Sequence, residues 1–202
     1  NKKFSLGFDF RTPVKMKVAE GDAAFVVPPS ISDSFPKTTF TSEIILPLAA
    51  NLGFGYHLND KWTLGLDINY TGWFSYDTLR FDYAFNSEQL EDTELPREYK
   101  GSFTFRTGAQ YDVIEKLALR AGAYFDMTPV REGFVSPESP DANRVGLTAG
   151  LSYKPSEKVS IDASLIYVRS IERTDGSDEA GFYGSYKIAV LVPSIGVHLA
   201  FK

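Results

Sequence analysis

Side chains equipped for catalysis are scarce and dispersed in this 202-residue chain. Cysteine is absent, which excludes thiolate nucleophiles, sulfur ligands and a disulfide framework. His57 and His198 have no carboxylate at ligand spacing beside them, so no metal site and no cofactor are expected. There is no Gly-x-Ser-x-Gly elbow to activate a serine, and no glycine-rich phosphate loop leading into a helix. Asp175, Asp178 and Glu179 read as a solvated acidic loop rather than a cation site. An enzyme is not expected.

Two other groups of residues carry more information. Between Gly21 and Ser42 the chain has the prolines of a loop, Pro28, Pro29 and Pro36. It is nevertheless rich in apolar side chains: Phe25, Val26, Val27, Ile31, Phe35 and Phe40. A hydrophobic loop held at a surface is suited to gathering apolar ligands. The plainer alternative is that these residues pack over the mouth of the structure beneath them. The second group is charged. Asp126 and Arg144 flank one loop, at positions that alternation assigns to one face of adjacent strands, and they are expected to pair there. Asp9, Arg11, Asp67, Arg106 and Asp112 share that inward face with Arg120, Lys154 and Asp162, and pairing is the rule for enclosed charges.

Strands must position these residues. Leu117, Leu119, Ala121, Ala123, Phe125 and Met127 alternate with small or charged residues, and so do Val145, Leu147, Ala149, Leu151 and Tyr153. Each run is about 10 residues, the length a tilted strand needs to cross a bilayer. The same period of two marks strands over about 3–18, 46–58, 62–85, 101–113, 159–170 and 188–201, eight in all. In the last, apolar parity changes from Val190 and Val192 to Ile195 and Val197, which predicts a bulge at Pro193-Ser194.

The connections fall into two classes. Turns at 59–61, 114–116 and 155–158 are short; loops at 21–42, 86–100, 131–143 and 174–184 are long. Short turns at one rim and long loops at the other are the pattern of an outer-membrane barrel. Tyr56, Trp62, Tyr111, Tyr153 and Phe201 then form an aromatic girdle at the short-turn rim, with Phe74, Tyr76, Phe125 and Tyr167 at the other. A mean hydropathy of -0.17 does not oppose this, because inward polar residues cancel outward apolar ones. The net charge of -5, with no basic patch, speaks against nucleic acid as a partner. The expected fold class is therefore all-β, an antiparallel transmembrane β-barrel formed by one domain over residues 1–202.

The chain also resembles the long-chain fatty-acid transporter family, FadL and the related toluene-type hydrocarbon channels. The matching residues are Asp126-Met127-Thr128-Pro129-Val130, Pro140-Asp141-Ala142-Asn143-Arg144 and Leu147-Thr148-Ala149-Gly150-Leu151-Ser152-Tyr153. Leu46-Pro47, Lys61-Trp62-Thr63-Leu64, Tyr70-Thr71-Gly72-Trp73-Phe74-Ser75 and Phe8-Asp9-Phe10-Arg11-Thr12-Pro13-Val14 extend the likeness over essentially the whole chain. The resemblance implies a fourteen-strand barrel with an N-terminal hatch, of which these eight strands would be the C-terminal part, lacking the hatch and first strands. A small eight-strand barrel with a filled lumen is the alternative.

By the same resemblance the protein would sit in the bacterial outer membrane, among membrane lipids and lipopolysaccharide. It would passively transport hydrophobic small molecules such as long-chain fatty acids or hydrocarbons. The family has a hydrophobic groove among its outer loops, and the loop carrying Phe25 to Phe40 resembles one of its walls. The rival expectation is a structural or docking barrel subunit of an outer-membrane assembly such as a secretion system, with an envelope protein as partner.

Overall fold

The computed structural model describes residues 3–137, 140–177 and 181–200. In chain order its strands are β1 (Phe4–Arg11), β2 (Val14–Ala23), β3 (Thr38–Leu46), β4 (Ala49–His57), β5 (Trp62–Thr71), β6 (Thr78–Tyr83) and β7 (Thr93–Pro96). There follow β8 (Ser102–Ile114), β9 (Leu117–Asp126), β10 (Arg144–Ser156), β11 (Val159–Ser170), β12 (Arg173–Ser177), β13 (Phe182–Tyr186) and β14 (Ala189–Leu199). Eight of them, β1-β4-β5-β8-β9-β10-β11-β14, form one antiparallel sheet in that order. A second sheet has the order β2-β3-β6-β7, and β12 and β13 make a separate hairpin.

The eight-stranded sheet is a membrane wall turned inside out relative to a soluble protein. Its outward face presents apolar side chains to the surroundings, with Leu6 62%, Phe8 71% and Ile195 82% exposed. Buried apolar residues are few, and Leu90, Val130, Val135 and Ala142 all lie in the connections beyond the strands. β1 and β14 are the two edges and are not paired with each other, so the strands form part of a barrel rather than a closed, filled one.

The long loops hold more structure than their prolines and polar residues suggest. β1 and β2 were expected as one strand, and β3 as part of a loop. In fact β1 pairs with β4 and β2 with β3 in one continuous register, Arg11 opposite Ala49 and Val14 opposite Leu46. That register puts Pro13 opposite Pro47 in the gap. Neither proline can donate to the ladder, so both strands break at one level and the outer sheet begins there. Between β5 and β6 the single turn of 3-10 helix Trp73–Ser75 interrupts what reads in sequence as one strand. β7 and the β12–β13 hairpin likewise lie in segments expected as loops.

The bulge expected at Pro193-Ser194 is not there. β11 and β14 keep one register throughout, from Val159 opposite Leu199 to Arg169 opposite Ala189. Pro193 faces outward opposite Leu165, and Val190 and Val192 turn inward opposite Val168 and Ile166. The change of apolar parity records two different faces of one straight strand. Register shifts occur instead at Val18/Gly21, Asp112/Ile114 and Tyr153/Ser156.

Candidate functional site

The apolar loop residues meet the outer sheet in an aromatic cluster. β2 carries the chain up to Ala23, a short 3-10 helix (Pro29–Ser34) lies in the reversal, and β3 returns the chain. Phe25 packs against Phe35 with ring centroids 5.6 Å apart, and against Tyr83 at 5.9 Å. Phe40 packs edge-on to Phe81 at 5.5 Å and to Tyr83 at 6.5 Å. Val27 and Ile31 are half-buried, whereas Val26 is fully exposed and stands apart. Phe81 and Tyr83 were not among the expected site residues. Their signal was the alternation Phe81, Tyr83, Phe85 against Asp82 and Ala84, which on β6 aims the rings at the facing positions of β3.

The inner face of the wall is layered. Near the long loops, Asp9, Asn51, Asn69, Thr104, Asp126, Arg144 and Ser170 occupy one row across seven strands. Asn51 Nδ2 donates to Asp9 at 3.0 Å, and Asn69 donates to Asn51. Thr104 Oγ1 donates to Asp126 at 2.7 Å, and Arg144 Nη2 lies 2.9 Å from Asp126 Oδ2 and 3.5 Å from Asp141. Two levels further in, Gly55, Gly65, Gly108 and Gly122 follow one another on β4, β5, β8 and β9. The same level continues as Thr148, Ile166 and Val192, so it carries no charge on any of these strands.

Polar groups return at the short-turn end. Arg120 donates to Gln110 at 2.8 Å and to Ser152 at 2.6 Å, and Ser152 donates to Asp162. An open groove of about 960 Å³ runs there, lined by Asp112, Lys116, Arg120 and Lys154 among others. His57 shares a 3.0 Å hydrogen bond with Thr63, and His198 lies opposite Ser160. Among the described residues, no three His, Asp or Glu side chains gather as metal ligands. Asp178, Glu179 and the girdle residue Phe201 fall outside the described residues.

Girdle aromatics line both rims, with Trp62 4.7 Å from Tyr111 at the short turns and Tyr70 4.8 Å from Phe103 at the other end. Tyr76 is not part of the girdle. It packs 5.3 Å from Tyr99, because the 3-10 turn before it redirects the chain. Burial there pushes the Tyr99 hydroxyl above its usual pKa.

A latch joins the two loops above β9 to β14. Arg173 donates to the carbonyls of Val130, Asp141 and Arg131 and pairs with Asp175 at 2.6 Å. Burial opposes ionisation of Asp175, but hydrogen bonds from the Gly133 and Gly176 amides and from Arg173 outweigh it and lower its pKa.

An all-β antiparallel wall, apolar outside and polar within, with short turns at one rim and structured loops at the other, defines an outer-membrane barrel protein. The chain belongs to the outer membrane protein transport protein family (OMPP1/FadL/TodX), whose pattern matches residues 1–196. It is 30% identical to outer membrane protein P1 of Haemophilus influenzae over 132 residues, 65% of this chain and 27% of that protein. It is 25% identical to the long-chain fatty acid transport protein of Escherichia coli K12 over 125 residues, 60% and 27% of the two chains. Among solved structures, a Pseudomonas aeruginosa FadL homologue superposes with a TM-score of 0.76 at 20% identity, over 98% of this chain and 48% of that one. The toluene transporter TodX of P. putida gives 0.60 at 16% identity, over 98% and 45%.

The chain thus spans 27–39% of the first curated relatives it matches, and just under half of these two structures. The named functions among them are those of transporters and channels, not enzymes. The docking-subunit alternative draws no support from them.

Proposed function

We propose that this chain forms one wall of an outer-membrane channel that passively admits hydrophobic compounds, long-chain fatty acids or hydrocarbons among them. The observation that carries the reading is the cluster of Phe25, Phe35, Phe40, Phe81 and Tyr83, held by strands above the membrane wall. Aromatic rings gathered on a loop lower the free energy of an apolar molecule arriving from water. The uncharged level from Gly55 to Val192 suits the next stage, since an apolar solute crossing it displaces no counter-ion or strongly held water. Partitioning drives the passage, and further strands complete the barrel around the lumen. The likeness to the fatty-acid and toluene transporters supports the substrate class.

The test is reconstitution of the full-length protein in liposomes, with uptake of a labelled long-chain fatty acid and of toluene measured against protein-free vesicles. Uptake above background of either compound supports the reading. Background rates for both, alongside normal retention of a polar sugar, would overturn it.

A further inference from the structure

The outward face of the eight-stranded sheet holds one charged residue among those described. Strand pairing assigns to that face every second position of β1, β4, β5, β8, β9, β10, β11 and β14. All of these are apolar, aromatic or, at Thr107, a lone hydroxyl, until Arg169 at the long-loop end of β11. Arg169 stands opposite Val145 on one side and Ala189 on the other. It is exposed and has no hydrogen-bond or ion-pair partner among the described residues. One step below, on the same face, Tyr167 stands between Leu147 and Leu191.

A permanently charged guanidinium at a lipid-facing position is disfavoured in hydrocarbon, so its place is the headgroup level, where an anion can meet it. The long-loop rim faces the outer leaflet. Guanidinium presents a planar fork of donors that matches phosphate oxygens two at a time. A second cation, Lys187, lies two residues before Ala189 in the sequence, just beyond the paired end of β14. Its partner Glu172 holds it at 3.3 Å in an exposed pair, which an incoming phosphate can displace.

We propose that Arg169 binds a phosphate of an outer-leaflet glycolipid of the lipopolysaccharide type. The acyl chains of the lipid descend over Tyr167, Leu147, Leu165 and Leu191. The apolar belt below the arginine selects a lipid over free phosphate, and the guanidinium charge selects a phosphorylated headgroup over a neutral one. This site lies on the opposite face of the wall from the lumen, so it is independent of what the channel carries.

The test uses full-length protein in mild detergent, with native mass spectrometry of added diphosphoryl lipid A, dephosphorylated lipid A and phosphatidylglycerol. Wild type should retain diphosphoryl lipid A, and Arg169→Ala should retain it about tenfold less, as loss of a bidentate charged contact implies. Arg169→Lys should fall between them, and the dephosphorylated lipid should bind wild type and Arg169→Ala alike. Arg169→Gln, which keeps most of the side-chain volume, should match the alanine variant and serves if that one folds poorly. Equal retention of diphosphoryl lipid A by wild type and the glutamine variant would overturn the proposal. So would displacement of the lipid by millimolar inorganic phosphate, or stronger retention of phosphatidylglycerol than of lipid A.

Discussion

The Phe40 ring lies across Gly21, so near that a Cβ on residue 21 would fall 2.6 Å from two of its ring carbons. The two residues are paired on β2 and β3, just past the register shift that follows Val18. Any side chain at 21 must push the ring aside, and with it the contacts to Phe81 and Tyr83. Gly21→Ala is therefore expected to weaken capture of an apolar probe several-fold while leaving the membrane wall intact. Binding of a fluorescent fatty acid, alongside heat-modifiable gel migration of the full-length barrel, reads both effects. Unchanged binding would mean that the ring position does not matter to capture.

The pair formed by Asp126 and Arg144 ties β9 to β10 at the rim, with Thr104 and Asp141 completing its hydrogen bonds. Arg144→Ala leaves two carboxylates facing each other without their shared cation. Since Arg144 is 38% exposed, solvent screens part of the loss, and a cost of roughly 1–2 kcal/mol is expected. Urea unfolding of the full-length protein in detergent checks the figure. A double-mutant cycle with Asp126→Asn should return a favourable coupling; a coupling near zero would remove the pair from the account.

Asp175 sets a pH dependence on the loop latch. Its pKa in the folded protein lies below the usual 3.8, so the stabilisation is complete above that value. It is lost as pH falls through the lowered value. Hydrogen exchange of the Gly133 and Val135 amides, which donate to Asp175 and to the Gly176 carbonyl, should accelerate relative to its intrinsic rate in that acid window. Asp175→Asn should show the faster exchange already at neutral pH, and no further step in that acid window.

The wall was legible in the sequence because each residue on it answers to one of two solvents, lipid or lumen. Alternation therefore marked every membrane strand, the short turns and the inward set of charges. The outer sheet was hidden for a physical reason. Prolines 28, 29 and 36 read as loop, while Pro13 and Pro47 fell inside expected strands; those two are opposed, so one paired gap costs both strands their ladder at a single level and the hairpin resumes beyond it. Val190 and Val192 misled in the other direction. Period two assumes that apolar means outward, whereas the inward neighbours of Val190 and Val192 on β11, Val168 and Ile166, are themselves apolar. Within the cluster, Phe25, Phe35 and Phe40 were found from composition. Phe81 and Tyr83 showed in the sequence only as alternation; their place beside Phe40 needed the pairing of β3 with β6, which that alternation does not encode.

The central claim is that the aromatic cluster gathers apolar ligands for passage through the barrel. The most direct measurement is fatty-acid and toluene uptake by cells that carry the full-length protein with Phe25, Phe35 and Phe40 all changed to Ala, compared at equal surface expression. The account predicts uptake reduced by about tenfold at low ligand concentration, as loss of stacked apolar area implies, and recovering as ligand is raised. Uptake equal to wild type at every concentration would contradict it and leave the cluster as packing over the barrel mouth.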